Sequence, residues 1–277
     1  MNRLIFIFYF LALFVLLSCH QQRTINANIL NSSIISGELV QEDDPVALST
    51  VGVFSSTSDG QKNICTGTIL SPRIIITAAH CVGDITNVMF SRDLMNLTRD
   101  LIENKKICVD RFEIYPTYSK ARDDQENTGD IALLHLEKQI PKGFFPAKRL
   151  EDKQFMTQGL SSIIAGYGAN TIQRENIPDP INYPNIHEEI KKGNINCDDE
   201  KKLINCHLFL SMDNDQMLKK GMMKIENAQY SDSEITLEKL PNSDMSSCHG
   251  DSGGPAFLLI QDQYYLWGVT SGWCYLS

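Results

Sequence analysis

Apolar residues in this chain fall in short bursts, many of them β-branched, separated by turn-forming residues. That rhythm predicts β-strands rather than long amphipathic helices. Residues 46–54 and 65–70 read as strands, Ser71-Pro72-Arg73 as a turn, and residues 74–77 as the returning strand. Further strands are expected over residues 131–136, 161–168, 218–226 and 234–240. Residues 256–260 and 264–270 flank Gln261-Asp262-Gln263 as a second hairpin. Residues 84–106 are mixed and predict no definite element, and no internal repeat is evident. The polar stretch 150–159 is expected to cross between two halves of an all-β fold.

Three stretches break this rhythm. Arg3 is followed by an unbroken apolar run from Leu4 to Leu17, too short to span a bilayer comfortably but suited to the core of a signal peptide. It ends in Leu16-Leu17-Ser18-Cys19, which resembles a bacterial lipobox; that resemblance implies lipidation of Cys19 and anchoring to a membrane surface without spanning it. Plain secretion is the alternative. Residues 20–33 are polar and without periodicity, as a linker or propeptide would be. Residues 169–216 carry three prolines and many Asn and Asp, and predict a long insertion in a surface loop, functional or disordered. Cys197 and Cys206 lie close together within it and suggest a local disulfide. A zinc site using these cysteines with His187 and His207 is the competing reading, but no ligand spacing supports it.

Composition narrows the class. At 277 residues and 42% hydrophobic content the chain can bury a substantial core. A formal charge of −9 with no basic cluster argues against nucleic acid as a partner. Eight cysteines fit an oxidising compartment. No metal and no cofactor is expected.

The chemistry concentrates in Ser247-Cys248-His249-Gly250-Asp251-Ser252-Gly253-Gly254-Pro255. Glycines there permit a tight turn and close approach of another chain, and the turn can aim the N–H groups of Gly250 and Ser252 at one point. A hydroxyl is a poor nucleophile near neutral pH and needs a base, itself oriented by a third group. Thr77-Ala78-Ala79-His80-Cys81 offers the base and Gly129-Asp130-Ile131-Ala132-Leu133-Leu134 the carboxylate. These three segments, in the order His, Asp, Ser, resemble the chymotrypsin/trypsin-like serine proteases, over residues 34–274 or so.

The resemblance implies two antiparallel six-stranded β-barrels, the first over about 34–150 and the second over about 151–277, acting on protein or peptide substrates. It implies that Ser252 attacks a carbonyl carbon, His80 shuttles the proton, Asp130 orients the imidazole, and Gly250 and Ser252 donate the oxyanion-hole hydrogen bonds. Ser271 matches the residue whose backbone pairs with substrate. Cys65 with Cys81, and Cys248 with Cys274, match family disulfides. Ile34-Ile35-Ser36-Gly37 resembles the mature start of the family, where cleavage before the isoleucine frees an amine to pair with Asp251. Ser33 precedes Ile34, so the unknown activating protease is not expected to be trypsin-like.

Ser246 stands at the floor of the specificity pocket where trypsin-like members carry Asp; without a fixed anion the preference is for apolar or small side chains, unless nearby Asp244 intervenes. Gly272-Trp273 reverses the family's order at the pocket rim. Cys108 has no family partner and reads as a free thiol. The chain ends three residues past Cys274, ahead of the last strand and C-terminal helix that the family carries. A catalytically inactive homologue acting as a binding module is therefore the alternative function.

Overall fold

A computed structural model describes residues 34–118, 129–191, 194–197, 201–231, 233–243 and 245–271. The signal, lipobox and linker expectations, and those for Asp244, Gly272, Trp273 and Cys274, lie outside these residues. Among the described residues no helix is long and apolar enough to cross a membrane.

The first half is a closed barrel. Its strands are β2 (Thr50–Ser56), β3 (Lys62–Ser71), β4 (Ile74–Thr77), β5 (Ile85–Met89), β6 (Lys106–Ile114) and β7 (Ala132–Leu136), paired in the order β2-β3-β4-β7-β6-β5. All neighbours are antiparallel. Alternate residues point inward, so Val51, Val53, Ile69, Ile75, Val88 and Leu134 meet in one apolar cluster with no or almost no exposure.

The predicted strand over residues 46–54 starts late. Asp44 caps Val46 N at 2.8 Å and Pro45 occupies the first turn, so Pro45–Ser49 forms a short helix, α1. The undefined stretch 84–106 contains β5 and a second helix, α2 (Arg99–Lys105), capped by Thr98.

The second half is a seven-stranded sheet. It contains β1 (Glu38–Leu39), β8 (Lys148–Arg149), β9 (Ser161–Gly166), β13 (Lys219–Asn227), β14 (Thr236–Lys239), β15 (Pro255–Ile260) and β16 (Gln263–Val269). The path runs β1-β13-β9-β15-β16-β8, with β14 beside β13, and it does not close among the described residues. The architecture is all-β and chymotrypsin-like, with one closed barrel and one seven-stranded sheet. Tyr167, fully buried, joins the halves: its hydroxyl donates to Ser91 O at 2.7 Å while its ring packs among Met89, Leu94, Ile163 and Phe257.

The stretch 169–216 is more ordered than its composition suggests. β10 (Thr171–Asn176), β11 (Ile195–Asn196) and β12 (His207–Asp213) form a separate three-stranded sheet, with helix α3 (Ile186–Lys191) beside it. Ile177, Ile186, Ile195, Cys197 and Cys206 make a small core of their own, closed by the predicted Cys197–Cys206 disulfide. The bond consumes both thiolates that a zinc site would need. A core this small depends on its staple. Replacing both cysteines by Ala should remove roughly 2–3 kcal/mol from the module. Hydrogen exchange should then accelerate across β10–β12 and leave the first barrel unchanged; equal acceleration in both would refute local stapling.

Candidate active site

His80 sits in a single 3-10 turn, Ala79–Cys81, directly after β4. The Cys65–Cys81 disulfide ties that turn to β3. Asp130 precedes β7, and the antiparallel pairing of β4 with β7 brings the two segments side by side. The His80 ring Nδ1 lies 2.7 Å from Asp130 Oδ2, and His80 N donates to Oδ1 at 3.0 Å. The Ser271 hydroxyl donates to Oδ2 as well. Burial alone would raise the Asp130 carboxyl; His80 through its hydrogen bonds and charge, with Ser271, outweighs it and holds the group at about 2. An ionised carboxylate only accepts, so Nδ1 carries the proton, and in the neutral ring Nε2 presents a lone pair. The Asp130 side chain is 2% exposed and the His80 side chain 33%, so the free edge of the ring opens to the surface.

Ser252 comes from the other half. Thr66 N donates to Ser252 O at 2.8 Å, and Cys81 Sγ packs 3.6 Å from the same oxygen. Ser252 therefore lies against the turn that carries His80. Its Oγ is not hydrogen-bonded to the imidazole in this structure. Such bonds are often loose without substrate.

The loop around Ser252 is held from beneath. Gly253 has φ +83°, and a Cβ there would collide with Thr77 Oγ1 and Thr66 O at 2.1 and 2.2 Å. The His249 carbonyl accepts from Ala169 N at 3.0 Å. Because a trans peptide points its C=O and N–H in opposite directions, Gly250 N–H is turned away from Ala169. Gly250 N and Ser252 N find no acceptor among the described residues. Two free donors in one turn make a ready site for a developing oxyanion.

Beneath them Asp251 is 1% exposed. Its Oδ2 accepts from Cys248 N and its Oδ1 from Gly168 N, each at 2.8 Å. The carboxylate occupies space that side chains at two neighbouring positions would fill: a Cβ on Gly166 or Gly168 would meet it at 2.3 or 2.4 Å. Burial pushes the Asp251 carboxyl up to about 7, against the two N–H donors and the charge of Lys219. Ile34 is wholly buried, but its nitrogen is the amide joining it to Ser33. Ile35 pairs with Ser246, N to O at 3.0 Å and O from N at 3.2 Å, so the backbone of Ser246 packs against the Ile34 segment. Cys248 is disulfide-bonded, and Cys108 is free. Cys65, His80 and Cys81 gather three potential metal-ligand atoms within 4.8 Å, but both sulfurs are consumed by their disulfide.

A family model described as Trypsin matches residues 41–275. The chain belongs to the trypsin family. A curated relative named Trypsin, from Saccharopolyspora erythraea, is 24% identical over 251 residues, covering 86% of this chain and 86% of the relative. A solved structure described as "Structure of GrC" shares the fold with a TM-score of 0.56 at 19% identity, covering 86% of this chain and 88% of that one. Membership makes this trypsin-family chain a serine-protease-type hydrolase with protein or peptide substrates.

Two contributions had no sequence signal. Ser271 was expected to offer its backbone to substrate; its hydroxyl also reaches Asp130. Thr66, fully buried, donates Oγ1 to Gly250 O at 2.7 Å and accepts from Tyr167 N at 3.1 Å. One hydroxyl thus joins the barrel, the sheet and the Ser252 loop. Thr66→Val keeps the shape and orphans a half-buried carbonyl and a buried N–H, costing about 1–3 kcal/mol. Thermal unfolding should show that loss, and Thr66→Ser should recover most of it. A Thr66→Val protein as stable as wild type would contradict this.

Asp130 gives a pH prediction. Its pKa is lower folded than unfolded, so its contribution is complete above the ordinary carboxylate value and disappears as pH falls toward about 2. Acid titration of stability should be flatter between those limits in Asp130→Asn than in wild type. An unchanged acid limb would contradict the pairing.

Proposed function

We propose that the chain is a serine endopeptidase in which Ser252 attacks the scissile carbonyl, His80 takes the hydroxyl proton through Nε2 and returns it to the leaving amine, and Asp130 keeps the imidazole in the useful tautomer. The negative charge that forms on the carbonyl oxygen is received by Gly250 N–H and Ser252 N–H. The observation that carries this reading is the pair of unengaged N–H donors beside Ser252, in a loop packed against the turn of the His80–Asp130 pair. Losing one such donor typically costs about 2.7–4 kcal/mol of barrier.

Specificity follows from Ser246. A pocket floored by a hydroxyl offers no counter-charge to a buried Lys or Arg, which favours small or apolar side chains before the scissile bond. Residues 1–19 fit an export signal, with Cys19 as the acceptor of a lipid anchor.

A fluorophosphonate probe tests the chemistry directly. Wild type should be labelled at Ser252, and Ser252→Ala and His80→Ala should not, with turnover reduced by up to about 10⁶-fold. A folded wild type that resists labelling after exposure of Ile34 would instead be a non-catalytic binding module. On a panel of peptide substrates, cleavage after small and apolar residues should dominate. Ser246→Asp should shift it toward Arg and Lys; strong cleavage after Arg or Lys by wild type would overturn the pocket assignment.

A further inference from the structure

A carboxylate sealed as Asp251 is must find a positive partner or give up its charge. The amine expected to serve does not exist while Ile34 is joined to Ser33. Among the described residues, Lys219 is the cation whose charge acts on Asp251.

Lys219 is placed for this by the sheet. It begins β13 and faces Gly166 of β9 in antiparallel register. Paired residues point to the same side with their Cβ positions about 4.5–5.5 Å apart. At Gly166 that side-chain space is occupied by Asp251, whose Oδ1 lies 2.3 Å from where a Cβ would stand. The carboxylate thus fills the slot next to the lysine stem. The Lys219 side chain is 2% exposed, rare for a lysine. Its Nζ donates to Asp215 Oδ2 at 2.6 Å and to Asn170 Oδ1 at 3.3 Å, and Asn170 is two residues beyond Gly168, which holds the Asp251 carboxylate. Asp215 is 37% exposed on its side chain and open to solvent, whereas Asp251 is 1% exposed.

The rest of the loop is already arranged in the uncleaved chain. Gly250 N and Ser252 N are unengaged, His249 O is held by Ala169 N, and Ile34 fills an apolar site with Ile164, Met223 and Met245. We propose that Lys219 is a positioning residue whose ammonium supplies the counter-charge for Asp251 while Ile34 is still joined to Ser33, so that the oxyanion loop stands ready without cleavage. Lys219 touches no reacting atom; it acts through Asp251. The inference rests on the serine-endopeptidase reading.

The test uses the full chain with residues 29–33 replaced by the recognition sequence of a specific processing protease, so that Ile34 is released on demand and the linkage is verified by mass. The readout is the rate of fluorophosphonate labelling at Ser252. The uncleaved chain should label within a few-fold of the released one. Lys219→Met should slow labelling of the uncleaved chain by about 100-fold, the order of losing an oxyanion donor. Releasing Ile34 should then restore it, because the new amine replaces the missing charge; a merely structural lysine would show no such rescue. Labelling of released wild type alone, Lys219→Met labelling like wild type, or Lys219→Met unlabelled in both forms would each overturn the proposal. Failure of wild type to label in either form would remove the protease reading itself and this inference with it.

Discussion

The organisation of the site depends on one buried carboxylate. Asp251 sits where Gly166 and Gly168 leave room for nothing else, and it takes its hydrogen bonds from backbone N–H groups on either side of the loop, Cys248 and Gly168. Those bonds fix the residues immediately before and after it. Gly250 and Ser252 are its chain neighbours, so whatever secures Asp251 also decides where their N–H groups point. The cost of keeping a carboxylate dry is considerable, and burial holds its pKa near 7 even with two donors and a lysine close by. A group kept at that cost is better explained by the loop it organises than by stability.

The second constraint is that the site spans two halves. His80 and Asp130 belong to the closed barrel and are set by the β4–β7 pairing and the Cys65–Cys81 disulfide. Ser252 belongs to the loop before β15 of the sheet. Hydrogen bonds in buried or half-buried positions hold the halves in register: Tyr167 to Ser91, Thr66 to both Gly250 and Tyr167, and Thr66 N to Ser252 O. Breaking any of them leaves an unsatisfied group that is buried or half-buried, so the junction resists sliding. The separate sheet at 171–213 is rooted in the same place, since Asn170 and Asp215 at its base both meet Lys219.

Much of this was legible in the sequence, and the reasons differ by residue. The β4 strand and the 256–270 hairpin were readable because short β-branched runs between turns have few other meanings. His80, Asp130 and Ser252 stood out through motif and order. The helix at Pro45–Ser49 was missed because an Asp-Pro cap outweighed the strand propensity of Val46 and its neighbours. The three-stranded sheet at 171–213 was missed because its core is a handful of residues spread among prolines and polar positions, with a disulfide replacing periodic burial. Thr66 and Lys219 were invisible for a further reason. Their roles come from cross-strand register and from close approach at glycine, and neither leaves a local pattern along the chain.

The central claim is that the Ser252 hydroxyl and the Gly250 and Ser252 N–H groups act on one carbonyl. A crystal structure of the chain with a peptidyl boronic acid measures this most directly. The account predicts a bond from boron to Ser252 Oγ, one boronate oxygen about 2.7–3.1 Å from both nitrogens, and another within hydrogen-bond reach of His80 Nε2. A boron attached elsewhere, or bound at Ser252 with its oxygens turned away from both donors, would contradict it.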